Sequence, residues 1–147
     1  MAEIDDLSGE VVDAAVRIHR ELGPGLLESV YEMVLAGSLA RRGLKVDRQR
    51  PIDIVFEGIL YDAAFRIDLL VEGALLVEVK SVERLAPVHG KQLLTYLRLA
   101  RQPVGLLLNF SGATMKEGIK RVVNDDRPSH DSSASPRLRV NQSNGEF

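Results

Sequence analysis

The chain has 147 residues, of which 45% are hydrophobic and 27% charged, as in one ordinary soluble globular domain. Its formal net charge of −2 excludes a protein that coats nucleic acid by overall positive charge, although a local basic patch stays open. Because the chain has no Cys and no Trp, it forms no disulfide, iron–sulfur cluster or thiolate zinc site, and an aromatic base-stacking platform is not expected.

The first residues are acidic, with Glu3, Asp5 and Asp6, which is unlike the basic start of a secretory signal. No apolar run approaches the roughly 18 residues that cross a membrane. The absence of Cys is compatible with a reducing compartment. We therefore expect a cytoplasmic protein with no membrane partner.

Apolar side chains recur at helical spacing over residues 4–22 and predict a first helix with Ser8 as its N-cap. His19 lies beside the apolar face of this helix. It can complete the edge of a core, or it can be an accessory residue of a site. Gly23-Pro24-Gly25 then ends the helix.

A second helix is predicted from about Leu26 to Arg42, with Gly43 as its left-handed C-cap. Glu28 and Tyr31 lie near its start. Glu28 can simply complement the partial positive charge of a helix N-terminus. Tyr31, taken alone, is an amphipathic residue that a half-buried position would suit, and it can also be an accessory residue of a site.

Between positions 41 and 50 the chain carries five basic side chains against one acid. They are Arg41, Arg42, Lys45, Arg48 and Arg50. This stretch can be a patch that contacts phosphates, or it can be a solvated helix end followed by an edge strand.

Four apolar stretches after the second helix predict strands. They are Leu44–Arg50, Ile52–Phe56, Tyr61–Val71 and Ala74–Ser81. Pro51 separates the first two strands because it cannot donate to a ladder. Glu72-Gly73 suits a tight hairpin turn between the last two.

Charged side chains lie among the aliphatic residues of this hairpin. Because side chains alternate along a strand, Glu78 and Lys80 share one face. On the preceding strand, alternation predicts one face with Arg66, Asp68 and Leu70 and another with Phe65, Ile67, Leu69 and Val71. Asp68 can therefore lie beside Glu78, if the register permits. Buried charges require a partner, so these three residues form either a buried salt bridge of Lys80 with Asp68 and Glu78 or a metal site.

Residues 87–101 predict a third helix, on which Gln92 and Tyr96 project together because they are four residues apart. The aliphatic run Val104–Phe110 predicts a buried strand, parallel to the Glu78 strand because a helical crossover joins the two. A short helical turn and a last strand at Ile119–Val123 follow. From about residue 125 the chain is polar and poor in hydrophobes, so we expect a disordered tail over 125–147.

Several motifs in this order resemble the GxxExxY protein family. The segments that carry the resemblance are Ile18–Pro24, Gly25–Tyr31, Val77–Ser81 and Gln92–Leu97, within roughly residues 8–124. The spacing Asp68-(nine residues)-Glu78-x-Lys80 resembles the signature of the PD-(D/E)xK nuclease-like superfamily, in which that family is classed.

The resemblance implies one α/β domain over residues 1–124, with a restriction-endonuclease-like core. In this core, helices flank a mixed central β-sheet of about five strands. It also implies a set of catalytic residues drawn from two helices and two adjacent strands. These are Glu28, Asp68, Glu78, Lys80, Gln92 and Tyr96.

The chemistry of these residue types fits phosphodiester hydrolysis. Asp68 and Glu78, with the backbone carbonyl of Val79, offer oxygen ligands to Mg²⁺ or Mn²⁺. Lys80 can orient the attacking water or stabilise the charge that develops on the phosphoryl group. Arg66 can contact the phosphate or pair with Asp68 or Glu78.

The sequence therefore predicts a metal-dependent nuclease that acts on DNA or RNA. The alternative is a catalytically silent nuclease fold that serves as a self-assembling or binding module. A compact domain leaves little surface for recognition, and homo-oligomerisation would enlarge it.

Overall fold

A five-stranded mixed sheet forms the middle layer of the structure, a computed structural model that describes residues 3–125. The elements are α1 (Ile4–Leu22), α2 (Glu28–Arg41), β1 (Val46–Phe56), β2 (Ile59–Val71), β3 (Leu75–Lys80), α3 (Pro87–Ala100), β4 (Val104–Asn109), a 3₁₀ turn (Lys116–Gly118) and β5 (Ile119–Val123). The strands lie in the order β1-β2-β3-β4-β5, and β3 is parallel to β4 while the other neighbours are antiparallel. This architecture confirms the predicted α/β fold and its parallel pair.

The tail predicted over residues 125–147 lies outside the described residues, apart from Asp125. Within residues 3–125, none of the helices combines the length and the apolar character that a membrane span requires.

Helix α1 begins earlier than its predicted cap. Its N-cap is Glu3, and Ser8 is buried inside the helix, so the assignment of Ser8 as N-cap is wrong. The reason is that Leu7 is buried in the core, which favours helical backbone well before Ser8. Asp5 and Asp6 occupy the first turn, where they complement the partial positive charge of the helix start.

Strand β1 is continuous, whereas the sequence predicted two strands separated at Pro51. The strand passes through Pro51, which lies opposite Arg66 of β2. A proline is tolerated here because β1 is an edge strand, so its missing N–H need not remove a ladder hydrogen bond.

Apolar residues pack on both faces of the sheet, against α1 and α2 on one side and against α3 on the other. Strand β2 contributes to both layers, but not with the predicted alternation. Leu69 and Val71 pack with α1 and α2, whereas Phe65 and Ile67 pack with α3. The prediction that these four residues share one face is therefore wrong. The change of face occurs around Asp68, just before Leu69, the first residue of β2 that pairs with β3.

Candidate functional site

Asp68 and Glu78 lie at the point where the β2–β3 ladder ends, and each accepts a hydrogen bond from the other strand. The backbone N–H of Asp68 donates to Oε2 of Glu78 at 3.0 Å, and the backbone N–H of Val79 donates to Oδ2 of Asp68 at 2.8 Å. The two carboxylates thus take the place of backbone carbonyls in the ladder. The structure therefore has the register that the sequence left open, with Asp68 beside Glu78.

Both carboxyl groups are difficult to ionise in this environment. Glu78 is only 5% exposed, and burial, followed by the negative charge of Asp68, raises the pKa of Glu78 to about 8. Burial also raises the pKa of Asp68, and the charge of Glu32 adds to this effect. Near neutral pH the pair therefore holds a proton, or requires a cation in its place.

Lys80 projects at the same end of β3, but its partner is an amide. Its Nζ donates to Oε1 of Gln92 on α3 at 3.3 Å. Among residues 3–125 no ion pair joins Lys80 to Asp68 or Glu78, so the salt-bridge alternative does not describe this trio. The positive charge of Lys80 still lowers the pKa of both carboxyls, as one of the smaller effects on each.

Tyr96 faces the carboxylates from the same side of α3 as Gln92. Its ring stacks on Phe65, with centroids 4.3 Å apart and planes inclined by 20°. Burial raises the pKa of Tyr96, and the charges of Glu78 and Asp68 raise it further. The Tyr96 hydroxyl is therefore a neutral group within electrostatic reach of both acids.

Glu28 supports the chain just after Lys80 and does not contact the acid pair directly. Its Oε2 accepts a hydrogen bond from the N–H of Ser81 at 3.0 Å. The Ser81 hydroxyl in turn donates to the carbonyl of Leu26 at 3.2 Å. Two bonds thus anchor the segment after β3 to the start of α2.

Sequence reasoning did not include Glu32, a buried acid on α2 that is 5% exposed. Its carboxylate accepts hydrogen bonds from Arg48 Nε at 3.2 Å and from Gln49 Nε2 at 2.8 Å. A signal was available, because Glu32 is four residues after Glu28 and therefore lies on the same side of the helix.

Gln49 is a second residue that the sequence did not indicate. Its amide nitrogen also lies 3.3 Å from Oδ1 of Asp68, so one side chain links Asp68 to Glu32. Its backbone has φ of 51°, which is rare for a residue other than glycine and is typical of constrained sites. No sequence pattern announces that conformation.

His19 and Tyr31, the two predicted accessory residues, both donate hydrogen bonds to backbone carbonyl groups. His19 Nε2 donates to the carbonyl of Gly112 at 2.8 Å. Tyr31 is fully buried and stacked on Phe110, and its hydroxyl donates to the carbonyl of Gly23 and accepts from the N–H of Leu26. Tyr31 therefore braces the loop that leads into α2.

Three of the predicted phosphate contacts, Arg41, Arg42 and Lys45, lie away from the acid pair. Arg42 forms ion pairs with Glu10 and Asp13, both at 2.8 Å. Arg41 is in the same last turn of α2, and Lys45 flanks the hairpin turn through its backbone bonds to Glu72. Helix α2 runs about 20 Å from Glu28 at the site to this opposite end, so Arg41, Arg42 and Lys45 do not border the site.

Arg66 is the predicted phosphate contact that stays close to the site. It is exposed and donates to the backbone carbonyl of Gln49 at 3.3 Å. Its predicted ion pair with Asp68 or Glu78 is not formed within the described chain. The guanidinium therefore borders the site without neutralising it.

The donor atoms available for a metal ion are few. Across residues 3–125 no three His, Cys, Asp or Glu side chains come close enough together to hold a metal by themselves. Mg²⁺, however, is commonly bound through one or two carboxylates and completes its shell with water. Asp68 and Glu78 fit that requirement. Their raised pKa values mean that the ionised carboxylates would be stabilised by a nearby positive charge. The carbonyl of Val79 stays a predicted third ligand.

The comparisons with known proteins give one match. The sequence model of the PD-(D/E)XK nuclease superfamily matches residues 5–122, which covers nearly all of the described chain. Comparisons with the curated proteins and with the solved structures give no significant match.

Proposed function

Because the chain belongs to the PD-(D/E)XK nuclease superfamily, we propose that it is a metal-dependent nuclease that hydrolyses phosphodiester bonds of DNA or RNA. The observation that carries the proposal is the buried pair of Asp68 and Glu78. Each carboxylate accepts a hydrogen bond from the strand of the other, and within residues 3–125 neither forms an ion pair. Within the superfamily we place the chain in the GxxExxY family, on its Gly25–Tyr31 motif.

Asp68 and Glu78 would hold the metal ion, Mg²⁺ or Mn²⁺, together with the Val79 carbonyl. When bound, such an ion lowers the pKa of a coordinated water and polarises phosphoryl oxygens. Glu32 and Gln49 act behind this pair: the Gln49 amide donates to both Glu32 and Asp68, which fixes the orientation of the Asp68 carboxylate.

Lys80 supplies the positive charge that the reaction requires. Its ammonium group is held by Gln92, so it is oriented before substrate arrives and can stabilise the charge that develops on the phosphoryl group. Glu28 fixes the backbone of the next residue, Ser81, and thereby the direction of Lys80. Tyr96 stays protonated and donates a hydrogen bond to a phosphate oxygen.

The test of this proposal is cleavage of labelled single-stranded and double-stranded DNA and RNA with Mg²⁺ or Mn²⁺. We expect Asp68→Asn and Lys80→Met each to lower the rate by at least about 100-fold, because each removes an electrostatic contribution to the reaction. Lys45→Met is the matched control, since it removes a lysine at the opposite end of the sheet. Equal cutting by all four proteins, or cutting that persists with a chelator, would contradict the proposal.

Metal binding should release a proton. At pH 7 the Glu78 carboxyl, with a pKa of about 8, is mostly protonated, and it must ionise to coordinate a cation. Titration of Mn²⁺ into weakly buffered protein at pH 7 should therefore release about one proton per ion, and at pH 9 almost none. Glu78→Gln should bind more weakly and release no proton. Binding without proton release at pH 7 would show that Glu78 is not a ligand.

A second candidate function is assembly without cleavage. It is favoured by the exposed apolar end of the β1–β2 hairpin, where Phe56 is 45% and Ile59 54% exposed. Such a surface on a described chain of this size indicates a binding partner. The two functions do not exclude each other.

A further inference from the structure

The β1–β2 hairpin is longer than the sheet to which it belongs. Strand β3 pairs with β2 only at Leu69–Val71, whereas β1 and β2 stay paired with each other out to Phe56 and Ile59. The hairpin therefore extends past the Lys80 end of β3 as a two-stranded arm, defined here as residues 52–65. A two-stranded ribbon alone is at best marginally stable in water, so the arm gains by packing against something.

One face of the arm is an apolar stripe that begins in the core. Ile52 and Phe65 lie opposite each other and pack beneath α3. The stripe then continues outward through the cross-strand pairs of Ile54 with Tyr61 and Phe56 with Ile59. In the outer part Phe56, Ile59 and Tyr61 are 45%, 54% and 48% exposed. The core thus continues into solvent without a covering element from the described chain.

The negative charge of the arm indicates which kind of partner it can bind. Its charged residues are Asp53, Glu57 and Asp62, and residues 52–65 include no Lys or Arg. A nucleic acid would be repelled by these three carboxylates, because binding to phosphates depends on Lys and Arg. The fitting partner is an apolar protein surface that is bordered by basic side chains.

This chain carries such a surface, at the opposite edge of its sheet. An open groove of about 400 Å³ lies between α3 and β5, and its apolar lining includes Pro87, Leu94, Val122 and Val123. Lys91 and Lys120 border it. Neither lysine forms a side-chain hydrogen bond or ion pair within residues 3–125. We name this surface the α3–β5 groove.

We propose that the arm of one copy of this chain docks into the α3–β5 groove of a second copy. The arm belongs to β1 and β2 and the groove to β5, with β3 and β4 between them, so the arm does not fold back into its own groove. In the docked state the Glu57 carboxylate at the tip of the arm faces Lys91 and Lys120, and the apolar stripe covers the apolar floor. Asp62, on the other face of the arm, adds to the negative charge that these lysines attract.

The surface available is sufficient for a stable dimer. Three side chains of the stripe are about half exposed, namely Phe56, Ile59 and Tyr61. Together they offer on the order of 300 Å² per arm, given that a large side chain buries about 150–250 Å². Reciprocal exchange of two arms, counted with the two grooves, then buries on the order of 1,200 Å², at the lower end of the range of specific interfaces. Such an exchange closes on itself with two-fold symmetry.

The test measures the mass of the full-length protein by sedimentation and light scattering, with charges exchanged between the two surfaces. The arm variant is Glu57→Lys with Asp62→Lys, and the groove variant is Lys91→Glu with Lys120→Glu. We expect the wild type to be a dimer, each variant alone to dissociate with a Kd raised at least tenfold, and a mixture of the two to form a one-to-one heterodimer. Phe56→Ser with Tyr61→Ser should also be monomeric.

Matched controls separate docking from general effects of charge and folding. Arg17→Glu with Lys45→Glu changes the charge equally at exposed positions outside both surfaces and should stay dimeric. Far-ultraviolet circular dichroism and thermal unfolding identify any variant that fails to fold. Asp68→Asn should also stay dimeric, because the docking does not depend on cleavage.

Three results would overturn the proposal. One is a wild-type protein that is monomeric at about 100 μM, a concentration at which a specific interface of this size is occupied. Another is dissociation of the arm variant but not of the groove variant, which would indicate contact between two arms. The third is a monomer whose arm variants lose affinity for a labelled oligonucleotide, which would make nucleic acid the occupant.

Discussion

Replacing Glu78 with glutamine is expected to stabilise the metal-free protein at pH 8 and to leave its stability at pH 5 nearly unchanged. In the folded protein Glu78 has a pKa of about 8, against an ordinary value of 4.5. Between these values the folded state holds a proton that the unfolded state releases. The group therefore contributes stability that is fully present below about pH 4.5 and is lost as pH rises through about 8.

The size of this effect follows from the width of that pH interval. Because one pKa unit corresponds to about 1.4 kcal/mol, ionising Glu78 costs the folded state on the order of a few kcal/mol at pH 8. Glutamine has no charge to bury and nearly the same shape. Its carbonyl can accept the N–H of Asp68, and its amide can donate to the Asp68 carboxylate, which lies beside it.

The measurement is thermal unfolding in the presence of a chelator at pH 5, 6.5 and 8. The wild-type Tm should fall across the series by several degrees more than that of Glu78→Gln, since about 1 kcal/mol shifts the Tm of a domain of this size by roughly 2–8 °C. Glu83→Gln, which alters an exposed carboxylate, is the matched control and should follow the wild type. Parallel curves for wild type and Glu78→Gln would show that Glu78 is not protonated in the folded state.

Two buried acids placed side by side do not stabilise the folded state. Burial and the charge of Asp68 oppose the ionisation of Glu78, burial opposes the ionisation of Asp68, and the charge of Glu32 opposes both. Apolar residues of similar volume would commonly stabilise the fold. The arrangement becomes favourable when a cation binds, which is the reason that perturbed carboxyl groups cluster at functional sites.

The sequence could predict the features that depend on local pattern. The turn at Glu72-Gly73 is confirmed, with φ of 55° and 65°, because two consecutive residues of positive φ are what a tight hairpin requires. The parallel pairing of β3 with β4 is confirmed as well, because a helical crossover permits little else. The side-by-side placement of Asp68 and Glu78 depends in addition on the β2–β3 register, which the sequence left open.

The sequence could not predict features that depend on where distant segments meet. Gln49 reaches Asp68 only because its backbone departs from strand geometry, and this departure has no local signal. The charge of the basic stretch that begins at Arg41 allows a phosphate-contacting patch or a solvated helix end. Arg41, Arg42 and Lys45 lie at the other end because α2 starts at the site, with Glu28, and runs away from it. The direction of α2 within the fold determines where these basic residues lie, and the composition of the stretch does not indicate that direction.

Asn109 at the end of β4 holds the loop that follows Lys80 and Ser81. Its Oδ1 accepts from the N–H of Val82 at 3.0 Å, and its Nδ2 donates to the carbonyl of Val82 at 2.8 Å. The backbone of Asn109 in turn packs directly against Gly118 of the 3₁₀ turn. A Cβ atom on Gly118 would overlap the backbone oxygen of Asn109, so the backbone itself would have to move.

Gly118→Ala is therefore expected to lower the free energy of unfolding by about 3 kcal/mol, at the upper end of the usual range for overpacking. The same displacement of Asn109 should loosen the Val82 loop. The apparent affinity for Mn²⁺ should then fall in proportion to the fraction of the protein that stays folded. Chemical denaturation measures the first effect and calorimetric titration the second.

Gly9→Ala is the control, because Gly9 is exposed on α1 with nothing within 4 Å of the added methyl group. That change should stabilise the protein by about 0.5–1 kcal/mol, since alanine favours helix over glycine. If the two glycine variants shifted stability in the same direction, the close approach of Gly118 to Asn109 would not be a constraint on this fold.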